Sequence, residues 1–142
     1  MTKRIDLRGI RISIDESVHP FYEDFVSRSA GRVEDYPFAT MKDVFMVAAC
    51  VGAKYDQYKE IKKSRGVFSG DVFDPDFEVP ILCAIAFKKF SDVEDLFDIE
   101  QMIRHCQNYA NAGICILQHK IETSVGLGKL YRVAEVLRNV EK

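Results

Sequence analysis

The sequence predicts a mainly α-helical fold: a single compact domain over residues 1–142, built from about six helices with a short N-terminal β-strand. Apolar residues recur at spacings of three and four through most of the chain, the period of a helix with one buried face. A single stretch alternates with period two, where Ile10, Ile12 and Ile14 interleave with Arg11, Ser13 and Asp15. A chain of 142 residues, 47% hydrophobic and 30% charged, has the size and composition of one ordered globular core.

Residues 1–15 form an arm and the strand. A helix is expected over 16–29, capped by Asp15 or Ser17, with Val18, Phe21, Tyr22 and Phe25 inward. Pro20 fits its first turn, where the missing N–H is not needed. Residues 30–37, with Gly31 and Pro37, read as a loop. Thr40 caps the next helix, with Asp43 three places on as a variant capping box. Val44, Phe45, Val47, Ala48, Ala49 and Val51 leave that helix little polar surface, so it is central, and Gly52 is its stop signal.

Residues 64–78 hold Asp71, Asp74, Asp76 and Glu78 with two glycines and Pro75, and read as a long acidic loop with a short extended piece at 67–68 or 72–73. Pro80 opens a third core helix, apolar on nearly every side through Phe87, and such a helix must be covered all round. Ser91 and Glu94 make a capping box for a short helix reaching Phe97. Asp98 starts the longest helix, whose stripe is Ile99, Met102, Ile103, Cys106, Ala110, Gly113, Ile114, Leu117 and Ile121. After a break at 124–128 a last helix places Leu127, Leu130, Tyr131, Ala134 and Leu137 on one face.

Chemistry is harder to find. Net charge is −2, which supplies no global attraction for DNA or an acidic membrane. No apolar run approaches the roughly 18 residues that span a bilayer, and MTKRIDLRG carries no signal-peptide apolar region, so a cytoplasmic protein is expected. Cys50, Cys83, Cys106 and Cys115 form no CxxC pair and are expected to be reduced, buried thiols. Cys115 and His119 share a helix face, with His105 and Cys106 earlier on the same helix. The two cysteines nevertheless fall in the apolar stripe and His105 on its polar side, so no metal and no cofactor is expected.

The acidic run of 71–78 has oxygen ligands at alternate places, as a calcium loop would. Counting from Asp74, however, the sixth and twelfth places hold Val79 and Ile85, where an EF-hand needs glycine and glutamate. Asp92, Glu94 and Asp95 suit a helix start through the macrodipole. There is no GxSxG elbow and no glycine-rich phosphate loop, and the chain is not expected to be an enzyme.

Nucleic acid is the other class to weigh. The order strand, helix, loop, helix is similar to a ribbon-helix-helix module, in which strands from two chains enter the major groove as a dimer. Arg11 and Ser13 would face outward, and Lys3, Arg4 and Arg8 would meet phosphates, although Asp6, Asp15 and Glu16 interrupt that face. The plainer reading is a strand that pairs at a domain edge or dimer seam. Lys54, Lys59, Lys62, Lys63 and Arg65, against Asp56 and Glu60, form a second candidate contact patch, which otherwise is a solvated face. Within the longest helix, Asn108, Asn111 and Gly113 all lower helix propensity. Tyr109, Asn111 and Gly113 are therefore read as a packing motif where another backbone comes close, or else as the wall of a small polar pocket at that crossing.

At these residues a family resemblance emerges. PF-x-T-x-x-x-VFM-x-AA-x-x-G over 37–52, VF at 72–73 before a helix carrying AIA at 84–86, and YAN-x-GI over 109–114 resemble the DNA phosphorothioation (Dnd) system-associated protein 4 family. The resemblance covers about residues 35–117; where the family has an acidic run before YAN, this chain has Cys106–Gln107. It implies an accessory protein of the bacterial and archaeal machinery that puts sulfur in place of a phosphate oxygen in DNA, and of its restriction and defence partners. Contacts with subunits of that machinery, with DNA as a further partner, are what the resemblance implies. It brings no catalytic residues.

Overall fold

A computed structural model describes residues 5–26, 38–122, 133–134 and 137–138. The alternating stretch forms β1 (Arg11–Asp15), with Ile12 and Ile14 buried. Its ladder partner lies in the same chain: β1 pairs antiparallel with β2 (Ser64–Ser69), Ile12 opposite Phe68 and Ile14 opposite Arg65, with an irregularity between Ile12 and Ser13. β2 corrects the expected acidic loop at 64–78. Its first half is strand, Gly70–Val72 is a 3₁₀ turn, and Glu78 already belongs to the next helix. The extended piece expected at 67–68 lies within β2, but the strand's full length is concealed because its first three residues are exposed and its last three only half-buried, so it shows no alternation.

The expected helix at 16–29 is shorter. Glu16–Val18 form a 3₁₀ turn, capped by Asp15 accepting from the Ser17 N–H, and α1 is His19–Phe25 with Pro20 in its first turn. Val26 turns extended and bridges to Phe38 in parallel. Residues 27–37, including the loop expected at 30–37, lie outside the described residues. α2 (Met41–Lys54) begins at Thr40, whose hydroxyl oxygen accepts the Asp43 N–H at 3.4 Å. α3 is Glu78–Phe87 and α4 is Ile99–Glu122.

The described residues thus hold four α-helices, not about six. The segment expected as a short helix at 91–97 is a 3₁₀ turn, Val93–Phe97, closed by an Asp92–Asp95 box one residue later than the Ser91–Glu94 pair. Most of the last expected helix lies outside the described residues. Of its described positions Val133 is buried, whereas Ala134 and Leu137 are exposed.

α2 and α4 make the most extensive contact in the fold. Gly113 faces the α2 backbone so closely that a Cβ there would stand 2.7 Å from the Ala48 carbonyl carbon and 2.8 Å from the Gly52 nitrogen. Gly52 reciprocates: a Cβ on it would meet the Tyr109 carbonyl carbon at 2.8 Å. All three distances are shorter than real Cβ contacts, so only glycine at both places permits the crossing. Gly52 is therefore not a stop signal; α2 runs on to Lys54. Around the crossing, Phe45, Ala48, Ala49, Met102, Cys106, Ala110, Ile114 and Leu117 join Ile12, Ile14, Tyr22 and Phe25 in one core.

Two further expectations are corrected. Only Cys106 is buried; Cys50 is exposed and Cys83 and Cys115 are half-buried, because the apolar stretches around them extend past the buried stripe. And α3 is not covered all round. Val79, Leu82, Ile85 and Ala86 enter the core, while Phe77, Pro80, Ile81, Ala84 and Phe87 remain exposed.

Candidate functional site

Three places carry side chains with something to offer. The first is the segment 58–62, which leaves α2 after a left-handed Asp56 (φ 54) and crosses α4 before entering β2. The α4 asparagines hold it. Asn108 Oδ1 accepts the Ile61 N–H at 3.3 Å, and Asn111 Nδ2 donates to the Lys59 and Glu60 carbonyls at 3.1 and 3.3 Å. The asparagines therefore bond this segment and not α2, since the glycine contact leaves no room between the helices. From the other side, Asp15, 8% exposed, accepts the Lys62 N–H at 2.8 Å. That bond, followed by the one from the Ser17 N–H, lowers the Asp15 pKa to about 2.

Under this segment lies a hydrogen-bonded aromatic cluster. Asn108 Nδ2 donates to the Tyr58 hydroxyl at 2.9 Å, and that hydroxyl is 2.7 Å from His105 Nδ1. The hydroxyl accepts from Asn108 and shares a further hydrogen bond with Nδ1, in which the imidazole tautomer sets which of the two donates. Burial, then the Arg104 and Lys89 charges, lower the His105 pKa. Lys89 Nζ sits 4.3 Å from the centroid of the Tyr58 ring, and Phe90 meets His105 edge-on at 5.0 Å. Beside the cluster a cleft of about 320 Å³ is lined by Glu60, Ile61, Ser64, Arg104, Gln107 and Asn108.

The second place is the basic side of the β1–β2 sheet. The Arg11 side chain lies over Gly66 of β2, which brings it onto the strand that carries Arg65. Lys54, Lys59, Lys62 and Arg65 are exposed, and Lys63 pairs with Glu16 at 3.0 Å. Other members of the sequence-derived basic set are placed differently. Arg8 is held by Asp6 at 2.8 Å, so its charge is matched. Ser13 is half-buried, its N–H donated to Gln107 Oε1 at 2.8 Å. Lys3 and Arg4 lie outside the described residues.

The third place is the outer face of α3. Phe77 is 73% exposed, Ile81 and Phe87 42% each, and Val93 on the following turn 58%. Sequence reasoning missed this surface as a site, although the spacing 77, 81, 84, 87 next to a run of carboxylates was the signal that could have found it. It missed Tyr58 too, for which no local signal exists: Tyr58 and His105 are 47 residues apart.

Among the described residues no three His, Cys, Asp or Glu side chains gather into a metal site, and no helix is long and apolar enough to cross a membrane. Cys106 donates its thiol to the Leu82 carbonyl at 3.2 Å, and burial pushes its pKa far above the ordinary thiol range. His105 is committed to Tyr58.

A family model described as DNA sulphur modification system-associated protein 4 matches residues 21–137. The chain belongs to that family. The match takes in most of α1 and all of α2, α3 and α4, and with them the whole glycine crossing and the exposed α3 face. Family membership associates the chain with a DNA sulphur modification system. No curated protein and no solved structure matches it.

Proposed function

We propose that this chain is a non-catalytic accessory protein of a bacterial or archaeal DNA phosphorothioation or defence system, working in the cytoplasm by binding subunits of that machinery. The observation that carries this reading is the exposed apolar face of α3. Soluble chains seldom leave a contiguous row of large apolar side chains in water unless something covers it. The side chains best suited to chemistry are by contrast spent on structure, with Asn108, Tyr58 and His105 bonding one another.

A second reading is favoured by the β1–β2 sheet and the segment that enters β2, where Arg11, Lys62 and Arg65 offer charge to a phosphate backbone. In that reading the chain is a small DNA-binding regulator acting as a dimer. In it Arg11 of β1 and Arg65 of β2, on paired strands, would meet the DNA.

Co-expression with the phosphorothioation subunits, followed by affinity purification of this chain, tests the first reading; stable co-purification of one subunit is expected. Salt-dependent duplex binding that is lost on Arg11→Ala with Arg65→Ala, and no co-purifying subunit, would replace it with the second. Turnover of a sulfur donor or cleavage of sulfur-modified DNA by the purified chain alone would overturn the non-catalytic role.

A further inference from the structure

We propose that the outer face of α3 seats a basic amphipathic helix of a partner protein; this rests on the contact-driven role above and names the chemistry of the partner. Phe77, Pro80, Ile81, Ala84 and Phe87 fall within one sector of the helix and form a row about 15 Å long. A partner helix of about three turns covers such a row by packing its own apolar ridge along it.

The charge of the segment that carries the row selects the partner. Between Gly66 and Ile103 the chain has nine carboxylates and two lysines, although the whole molecule is nearly neutral at −2. Neither lysine serves the row. Lys88 Nζ donates to the Ala53 carbonyl at 2.6 Å and lies 3.8 Å from Asp56, and Lys89 rests on the Tyr58 ring. Asp76, beside Phe77, and Glu94, beside Val93, are exposed and make no ion pair among the described residues. An apolar row with acidic margins attracts lysines and arginines flanking an apolar stripe. A second copy of the same face would set carboxylate against carboxylate, which disfavours a symmetric dimer through α3.

The test uses the full chain and a fluorescein-labelled synthetic helix of about 20 residues, with leucines at helical spacing and lysines elsewhere. A twin peptide carries glutamate in place of lysine. Fluorescence anisotropy at low salt is expected to show saturable binding of the lysine peptide and none of its twin. Ile81→Asp, and separately Phe77→Ser, should weaken binding about tenfold or more. Asp76→Asn with Glu94→Gln should weaken it about threefold and reduce its salt dependence. Phe77 is so exposed that its substitution leaves the fold intact, which circular dichroism and the melting temperature verify.

Equal binding of both peptides overturns the proposal, as does undiminished binding to Ile81→Asp, or a sedimenting wild-type dimer that Ile81→Asp dissolves. Co-purification is run on the same variants. A machinery subunit retained by Ile81→Asp leaves the accessory role standing and overturns α3 as its seat. Peptide binding as expected with no subunit co-purifying supports the seat and overturns the accessory role.

Discussion

α2 and α3 are both apolar around most of their circumference, yet one is enclosed and the other is not. Only Cys50 and Lys54 of α2 are fully exposed, because α4 crosses it at backbone contact and β2 and α3 close its flanks. α3 leans one side on α4 and leaves Phe77, Ile81 and Phe87 in water. An all-round apolar helix therefore states a demand for cover without saying whether the same chain meets it. For α2 the cover is made by two glycines; for α3 it is left to a partner in the reading proposed above.

The sharpest way to break this contrast is at the crossing. Gly113→Ala should cost about 3 kcal/mol or more in chemical denaturation, because its Cβ meets main chain that cannot swing aside. Gly52→Ala should act in the same direction. A loss below about 1 kcal/mol would show that the helices separate easily and that the enclosure of α2 is loose.

The segment 58–62 lies between the two extremes. Asp15→Ala removes the acceptor of both the Lys62 and Ser17 N–H groups and should cost about 1–2 kcal/mol. Its carboxyl titrates at about 2 in the folded chain against an ordinary 3.8. A depressed acid stabilises the fold above its unfolded pKa, and that contribution fades as pH falls from about 5 towards 2. Urea midpoints measured across that window should show a shallower fall for Asp15→Ala than for the wild type.

His105 gives a smaller effect of the same sign. Its folded pKa is lowered from 6.5, so the unfolded chain takes up the proton first and stability drops as pH falls below 6.5. His105→Gln should flatten that part of the profile by less than about 1 kcal/mol. An unchanged profile would mean the Tyr58–His105 bond is not held in solution.

The smallest effect belongs to the open face. Phe77→Ser should change stability by no more than about 0.5 kcal/mol, since that ring is in water before and after unfolding. A loss similar to that at Gly113 would mean that the α3 face is covered within the chain, and the contrast with α2 would disappear.

Local chemistry was readable where it is made by near neighbours. The Thr40 cap, Pro20 in a first turn, the Ile12 and Ile14 alternation and the stripe from Met102 to Ile121 all depend on residues within a few places of one another. The glycine on that stripe marked a close approach, and the glycine at 52 misled because an interior helical glycine and a stop signal look alike in sequence. Only the 67–68 piece of β2 was legible, because a half-exposed edge strand carries no alternation, and the Tyr58–His105–Asn108 cluster was hidden because β2 and α3 separate Tyr58 from the two α4 residues.

The sequence by itself determined the approximate places of the four α-helices, where several of them begin, and that apolar surface exceeds what any one helix can bury alone. Only the tertiary structure decided which helix was enclosed, which strand β1 paired with, and that α3 leaves an apolar row open. The physical reason is range: caps and periodicity act over one or two turns, whereas enclosure depends on which distant backbone arrives, and at what distance.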